Sequence, residues 1–335
     1  MATKALSTKL LEKIGNTPIL ELRSFSNKVK ILAKLEWYNP FGSVKDRASY
    51  WMIKDAERRN LLKKGKSVII EPTSGNTGIA LTGIARLMGY EVEIVIPEKV
   101  SVETKTILRS LGAQLHETSD DLCPRVGVGT DQSISLASAI ARARPETYFM
   151  PNQYENEANF MAHYESTGPE IWEQTGGKIT HFMTGAGTGG TLTGVGAFLK
   201  EKNNTVKVIA VQPQRNHLIQ GLRNYEESSM PPLFRKRENV VDEWYTITNQ
   251  ESFQVAKELF DNEKLLVGPS SACVMAAAKK VSEKLHGGTI VVIFADDGRK
   301  FRSLYLSQNV FTDSEFERAL KESRMLTELP FDSLK

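Results

Sequence analysis

The stretch "SVIIEPTSGNTGIALTGIARLMG", Ser67 to Gly89, contains three local signals in succession. An apolar, β-branched run predicts a strand over 67–72. A turn rich in glycine and hydroxyl residues follows at 73–78. Apolar residues at helical spacing then predict a helix over 77–88, closed by Gly89. The same succession recurs along the chain. Strands are predicted at 30–36, 91–97, 113–117, 147–151, 180–187, 206–213 and 288–298. Helices are predicted at 44–62, 101–111, 132–143, from about 190, 250–262 and 271–285. Short Val/Ile-rich strands separated by helices predict an α/β fold of mostly parallel sheets with helices on both faces. The two halves of the pattern predict two sheets with a cleft between them. Ligands in open α/β sheets bind outside the carboxyl ends of the strands.

The turn "TSGNTG" (73–78) exceeds the needs of a helix cap. One Ser, Thr or Asn suffices for capping. Here Thr73, Ser74, Asn76 and Thr77 supply four polar side chains, and Gly75 and Gly78 let the backbone approach a ligand. A helix start with free amides is an anion site. The second turn, "GAGTGGT" (185–191), matches GxGxxG at Gly185, Gly187 and Gly190. A dinucleotide site needs an acid about 20 residues on. The next strand ends with Gln212 and Gln214 instead. What remains is a cup for one phosphate over Gly187, Thr188, Gly189, Gly190 and Thr191.

Lys45 lies in "NPFGSVKDRA" (39–48), at a predicted helix start where the macrodipole favours acids. A solvated surface lysine is the bland reading of that window. One lysine, one phosphate cup and one small-anion turn, on three strand–helix junctions, suit a cofactor with one phosphate and a carbonyl. That cofactor is pyridoxal phosphate, with Lys45 as its Schiff-base lysine.

Composition narrows the classes. The chain has 335 residues, 40% hydrophobic and 25% charged, with a net charge of +3. That charge is too small to argue for nucleic acid or a membrane surface. The basic run 235–237 neighbours Glu238, Asp242 and Glu243 and reads as a solvated loop. Two cysteines, Cys123 and Cys273, suit a reducing cytosol rather than a disulfide framework. The five histidines form no ligand spacing, so no metal site is expected. No apolar run reaches the roughly 18 residues of a membrane span, and the first 22 residues lack a signal-peptide core. A cytoplasmic protein is expected.

Taken together, "IGNTPILEL", "KLEWYNPFGSVKDRA", "EPTSGNTGIAL", "NQYENEANF", "STGPEIWEQTGG", "GAGTGGTLTGVGAFLK", "HLIQGL" and "FADDGRKF" resemble the cysteine synthase branch of fold-type II pyridoxal-phosphate enzymes. The resemblance runs in order from about residue 8 to 310. It implies two open, twisted sheets of the tryptophan synthase β type. It implies a larger cofactor domain from 1–38 and 152–310, a smaller mobile domain at 39–151 carrying Lys45, and an extension of no assigned role at 311–335. Lys45 would hold the cofactor and later abstract the substrate α-proton. Asn76 would bond the cofactor's 3′-oxygen, Gly187–Thr191 its phosphate, and Ser270 its ring nitrogen. Thr73, Ser74, Thr77 and Gln153 would hold the substrate carboxylate. A homodimer is implied as well.

Three stretches depart from the family pattern. "GPSSAC" (268–273) leaves Ser270 and Ser271 both open as the nitrogen-facing serine. "LRNYEESSMPPLF" (222–234) resembles the branch that accepts O-phosphoserine, with Arg223 as phosphate ligand and Arg215 as second candidate. A guanidinium suits that dianion because it pairs two oxygens at once. The segment 119–133 is longer than the family expects. The amphipathic tail 311–335 is expected to pack on a partner subunit or reach the cleft. The function implied is β-replacement that makes L-cysteine from O-phosphoserine first, O-acetylserine next, and sulfide. Other readings are a cystathionine β-synthase-type reaction, a serine/threonine dehydratase, a non-catalytic sensor and, last, a nicotinamide oxidoreductase.

Overall fold

The computed structural model describes residues 9–73, 75–119, 132–324, 326, 327 and 329. Among the described residues ten strands form two sheets. The six-stranded sheet holds β1 (Ile19–Glu21), β2 (Lys30–Leu35), β7 (His181–Gly185), β8 (Lys207–Pro213), β9 (Glu243–Ile247) and β10 (Thr289–Phe294), in the order β1-β2-β10-β7-β8-β9. The four-stranded sheet holds β3 (Val68–Pro72), β4 (Glu91–Pro97), β5 (Gln114–Thr118) and β6 (Tyr148–Phe149), in the order β5-β4-β3-β6. Every pairing is parallel except β1 with β2. The α/β architecture is therefore as the alternation predicts.

Two strands escaped prediction. β1 has only three residues, all half-buried. β9, "EWYTI", buries only Ile247 because it is a sheet edge, so it carries no apolar run. The predicted strand 147–151 shortens to two residues. Beyond it the chain turns at Asn152, whose φ is +54°, and the amides of Asn152 and Gln153 leave the ladder for the Glu71 carboxylate.

Central strands are buried on both faces. Val208–Pro213 and Ile290–Phe294 are buried throughout. Fully burying one such Val, Ile or Phe side chain stabilises by about 1.5–3 kcal/mol. A second core lies under the four-stranded sheet, centred on Ile69, Ile84, Ile94 and Phe41, with Leu10, Leu11 and Ile14 packed on its flank.

An ionic cluster is sealed between these parts. Arg47 donates to Glu36 and Glu170, and Lys34 donates to Glu170, Gln174 and the Thr17 carbonyl. Burial pushes the Glu36 carboxyl up, but Arg47 outweighs it and holds the group below its ordinary range.

The tail is not free. Thr312 and Glu315 form a capping box at the start of the helix Asp313–Glu322. Phe316 and Ala319 are buried, with Phe316 against Phe311 and Tyr305. Arg324 pairs with Glu263 at 2.8 Å, and Leu329 is buried against Gly42. Among the described residues of the tail, the apolar face of this helix is thus covered by its own chain. Residues 120–131 of the long segment, including Cys123, lie outside the described residues.

Candidate functional site

Three helices begin at the wall of one cavity, and each has glycine at its N-cap. They are Asn76–Met88 after Gly75, Gly190–Lys202 after Gly189, and Pro269–Lys284 after Gly268. None has a side-chain cap. By contrast Val102–Ser110, Asn249–Glu263 and Asp313–Glu322 are capped by Ser101, Thr248 and Thr312. At the third start Pro269 has no N–H and the Ser271 N–H donates to the Gly268 carbonyl, so it is the open first-turn amides of the other two helix starts that make the cavity anion-seeking.

Lys45, Thr73, Asn76, Thr77, Gln153, Gly187, Thr188, Gly189, Thr191, Arg223 and Ser270 all line it. Ser74 lies outside the described residues. Gly190 sits behind the wall, where an added Cβ would come within 2.1 Å of Asn159 Oδ1.

Lys45 is the first residue of the helix Lys45–Arg58. Val44 N–H donates to the Ala295 carbonyl, and Ser43 bridges Asp296, so the helix start is tied to the end of β10. Burial pushes the Lys45 amine below its ordinary pKa, with Asp296 and Glu36 opposing. Its Nζ makes no hydrogen bond among the described residues. Asp46 turns inward instead, accepting from the Phe41 amide at 2.6 Å, and burial raises its carboxyl to about 7.

The phosphate cup is braced from behind. Gly189 has φ +89°, open to glycine, and any Cβ there would meet Phe234 at 2.5 Å. Asn159 Nδ2 donates to Thr188 Oγ1 at 3.0 Å, and the Tyr225 hydroxyl donates to the Gly187 carbonyl at 2.9 Å. His163 Nε2 lies 3.2 Å from Thr191 Oγ1. Burial, with Arg47 and Lys45 nearby, keeps that imidazole well below its ordinary pKa, hence neutral. The amides of Gly187, Thr188 and Gly189 find no acceptor among the described residues. This donor set fits a phosphate, and the open amine of Lys45 fits an aldehyde.

On the opposite wall Thr77 Oγ1 donates to Gln153 Oε1 at 2.7 Å. Glu71 holds Gln153 and Asn152 by their amides, and burial raises its carboxyl to about 8. The serines separate. Ser270 lines the cavity, whereas Ser271 Oγ donates to the Asp296 carbonyl. The arginines separate too. Arg223 Nη2 donates to the Tyr154 hydroxyl at 3.0 Å in the cavity wall, whereas Arg215 is exposed and pairs with Glu226 at 3.2 Å. Cys273 is fully buried, its thiol raised to about 12 by burial.

Sequence reasoning did not single out Glu71, Tyr154, His163, Asp296 or Lys300. The last two stand in "FADDGRKF", where only their place in the fold reveals that they reach Asn76.

Comparisons with known proteins bear on the family and the fold. The family model described as pyridoxal-phosphate dependent enzyme matches residues 10–296. A cysteine synthase of Aquifex aeolicus (strain VF5) is 40% identical over 316 residues, 91% of this chain and 93% of its own. A cystathionine beta-synthase of Apis mellifera is 38% identical, over 89% of this chain and 61% of its own. The solved structure of an O-ureido-L-serine synthase superposes with a TM-score of 0.82 at 31% identity, covering 92% of this chain and 98% of that one. Among the described residues no helix is long and apolar enough to cross a membrane, and no cluster of metal-ligating side chains occurs.

Proposed function

We propose a function from a premise the family model supplies: this chain belongs to the pyridoxal-phosphate-dependent enzymes. In our reading it makes L-cysteine by β-replacement, with O-phosphoserine the favoured donor, O-acetylserine next, and sulfide the nucleophile. When bound, the cofactor supplies the electron sink that acidifies a substrate α-proton and lets the β-substituent leave.

The residues divide the remaining work. Lys45 would hold the cofactor's aldehyde. Its lowered pKa then suits it to take the α-proton near neutral pH. The cup Gly187–Thr191 would hold the phosphate, Asn76 a ring oxygen and Ser270 the ring nitrogen. Thr73, Thr77 and Gln153, with Ser74, would hold the substrate carboxylate. Closure of segment 39–151 over that carboxylate would exclude water. The assembly is read as a cytoplasmic homodimer.

The observation that carries the donor choice is Arg223. Its guanidinium borders the cavity that Lys45 enters, whereas the other candidate, Arg215, pairs on the surface. Similarity to cysteine synthases supports the overall chemistry. Similarity to cystathionine beta-synthases supports a second reading, with homocysteine as nucleophile.

One experiment discriminates them. Product formation is followed with O-phosphoserine, O-acetylserine or serine as donor and sulfide or homocysteine as acceptor. Cysteine formed fastest from O-phosphoserine is the expected result. Cystathionine forming faster than cysteine supports the second reading. Keto acid released without an acceptor indicates a dehydratase. Bound cofactor with no turnover indicates a sensor.

A further inference from the structure

Asn76 opens its helix between a group that can only donate and a group that accepts. Lys300 Nζ donates to Asn76 Oδ1, and Asn76 Nδ2 donates to Asp296 Oδ2 at 2.8 Å. Lys300 and Asp296 also pair directly at 3.3 Å, and both are buried. A carboxamide has an oxygen end and a nitrogen end of nearly equal size, so its partners alone decide which way it faces. The ammonium has no lone pair to offer Nδ2, which turns Oδ1 toward Lys300, and Asp296 Oδ2 accepts from Nδ2; burial raises the Asp296 carboxyl, with Lys300 and Asn76 opposing. One orientation satisfies both, and flipping the amide would set like ends together in a buried site. The second N–H of Nδ2 has no acceptor among the described residues, and Asn76 lines the cavity.

We infer that Asp296 and Lys300 are positioning residues that lock the Asn76 amide so that an N–H, not a carbonyl, is presented to the cavity. This rests on the cofactor reading above, in which that N–H meets the oxygen on the cofactor ring. The lock is also a bond between the two sheets. Asp296 follows β10 of the six-stranded sheet, and Asn76 follows β3 of the four-stranded one, 220 residues away in sequence. Lys300 therefore couples the approach of the sheets to the donor the cofactor meets. Lys300 and Phe301 both line the cavity, with the ammonium 5.9 Å from the centre of the Phe301 ring.

The test uses the full chain supplied with pyridoxal phosphate and reads absorbance against pH. A donor at the ring oxygen keeps that oxygen unprotonated and the absorbance in the visible. Without it, intensity moves to the near ultraviolet. Lys300→Met is expected to retain cofactor but to shift this titration by about one pH unit, the size one hydrogen bond to a charged oxygen gives. Lys300→Arg, which keeps a donor, is expected to titrate like the wild type. In an Asn76→Ala background Lys300→Met is expected to add nothing. An unmoved titration in Lys300→Met overturns the inference. So does an equal shift in the Asn76→Ala background, because Lys300 would then act by its charge alone. If Lys300→Met does not fold, Lys300→Ala replaces it in the same titration. A wild type that never absorbs in the visible overturns the cofactor reading and this inference with it. A normal wild type with an unmoved variant overturns this inference alone.

Discussion

Arg47 and Glu36 meet through two hydrogen bonds, Nε to Oε2 at 2.8 Å and Nη2 to Oε1 at 2.9 Å, with both side chains sealed from solvent. The same guanidinium donates to both oxygens of Glu170. Arg47 lies two residues past Lys45, so this cluster anchors the helix that begins at Lys45. Arg47→Met would leave two carboxylates facing each other without their main partner. We expect it to cost about 3–5 kcal/mol in urea unfolding. Arg215→Ala, at an exposed pair, should change little. Similar small losses for both would show that the buried cluster does not anchor the fold.

Gly189→Ala and Gly65→Ala separate steric from conformational cost. Both glycines have positive φ, +89° and +72°, so each substitution should lose about 1–2 kcal/mol to backbone strain. Gly65 faces open space, whereas a Cβ at Gly189 would strike Phe234. A further loss of about 1–3 kcal/mol is expected at 189 alone. Cofactor retained after gel filtration should fall only in that variant. Equal melting shifts and full retention in both would contradict the cup geometry.

Arg223→Ala should cut kcat/KM for O-phosphoserine roughly 30- to 200-fold, corresponding to about 2–3 kcal/mol of lost charged hydrogen bonding. O-acetylserine should be nearly unaffected. Tyr154→Phe, which removes only the hydroxyl that accepts from Arg223, should show a smaller loss with the same donor preference. Equal losses for both donors would remove Arg223 from phosphate recognition.

Glu71 gives a pH dependence of known sign. Its folded carboxyl titrates near 8, above the ordinary 4.5, because burial disfavours the charge. The folded state therefore holds this proton more tightly than the unfolded state. The stability it contributes is fully present below pH about 4.5 and is lost as pH rises through about 8. Unfolding free energies of wild type and Glu71→Gln, measured from pH 5 to 9, should differ by an amount that drifts against the wild type as pH rises. A constant difference would mean that Glu71 keeps an ordinary carboxyl.

The glycine turns at 73–78 and 187–191 were legible because glycines clustered between a strand and a helix leave the backbone open to close approach, a signal carried by adjacent residues. Lys45 stood out less by its own window, which suits a solvated surface lysine, than by sharing the pattern of strand–helix junctions with the two glycine turns. The short edge strand β9 was not legible, since an edge buries only one residue of its five and leaves no periodic signal. The tail's amphipathic helix was visible in the sequence, but not that Phe316 covers Phe311 and Tyr305 of its own chain.

By itself the sequence determined the alternation of strands and helices and marked out the two glycine-rich turns and the candidate lysine. These signals are local, carried by neighbours along the chain. Tertiary structure alone decided that Ser270 rather than Ser271 lines the cavity, that Arg223 reaches it while Arg215 does not, and that Lys300 and Asp296 bracket Asn76. Each of those outcomes depends on a side chain meeting groups more than 20 residues away, or on which face of a turn it takes. No local rule specifies such meetings until both sheets are packed.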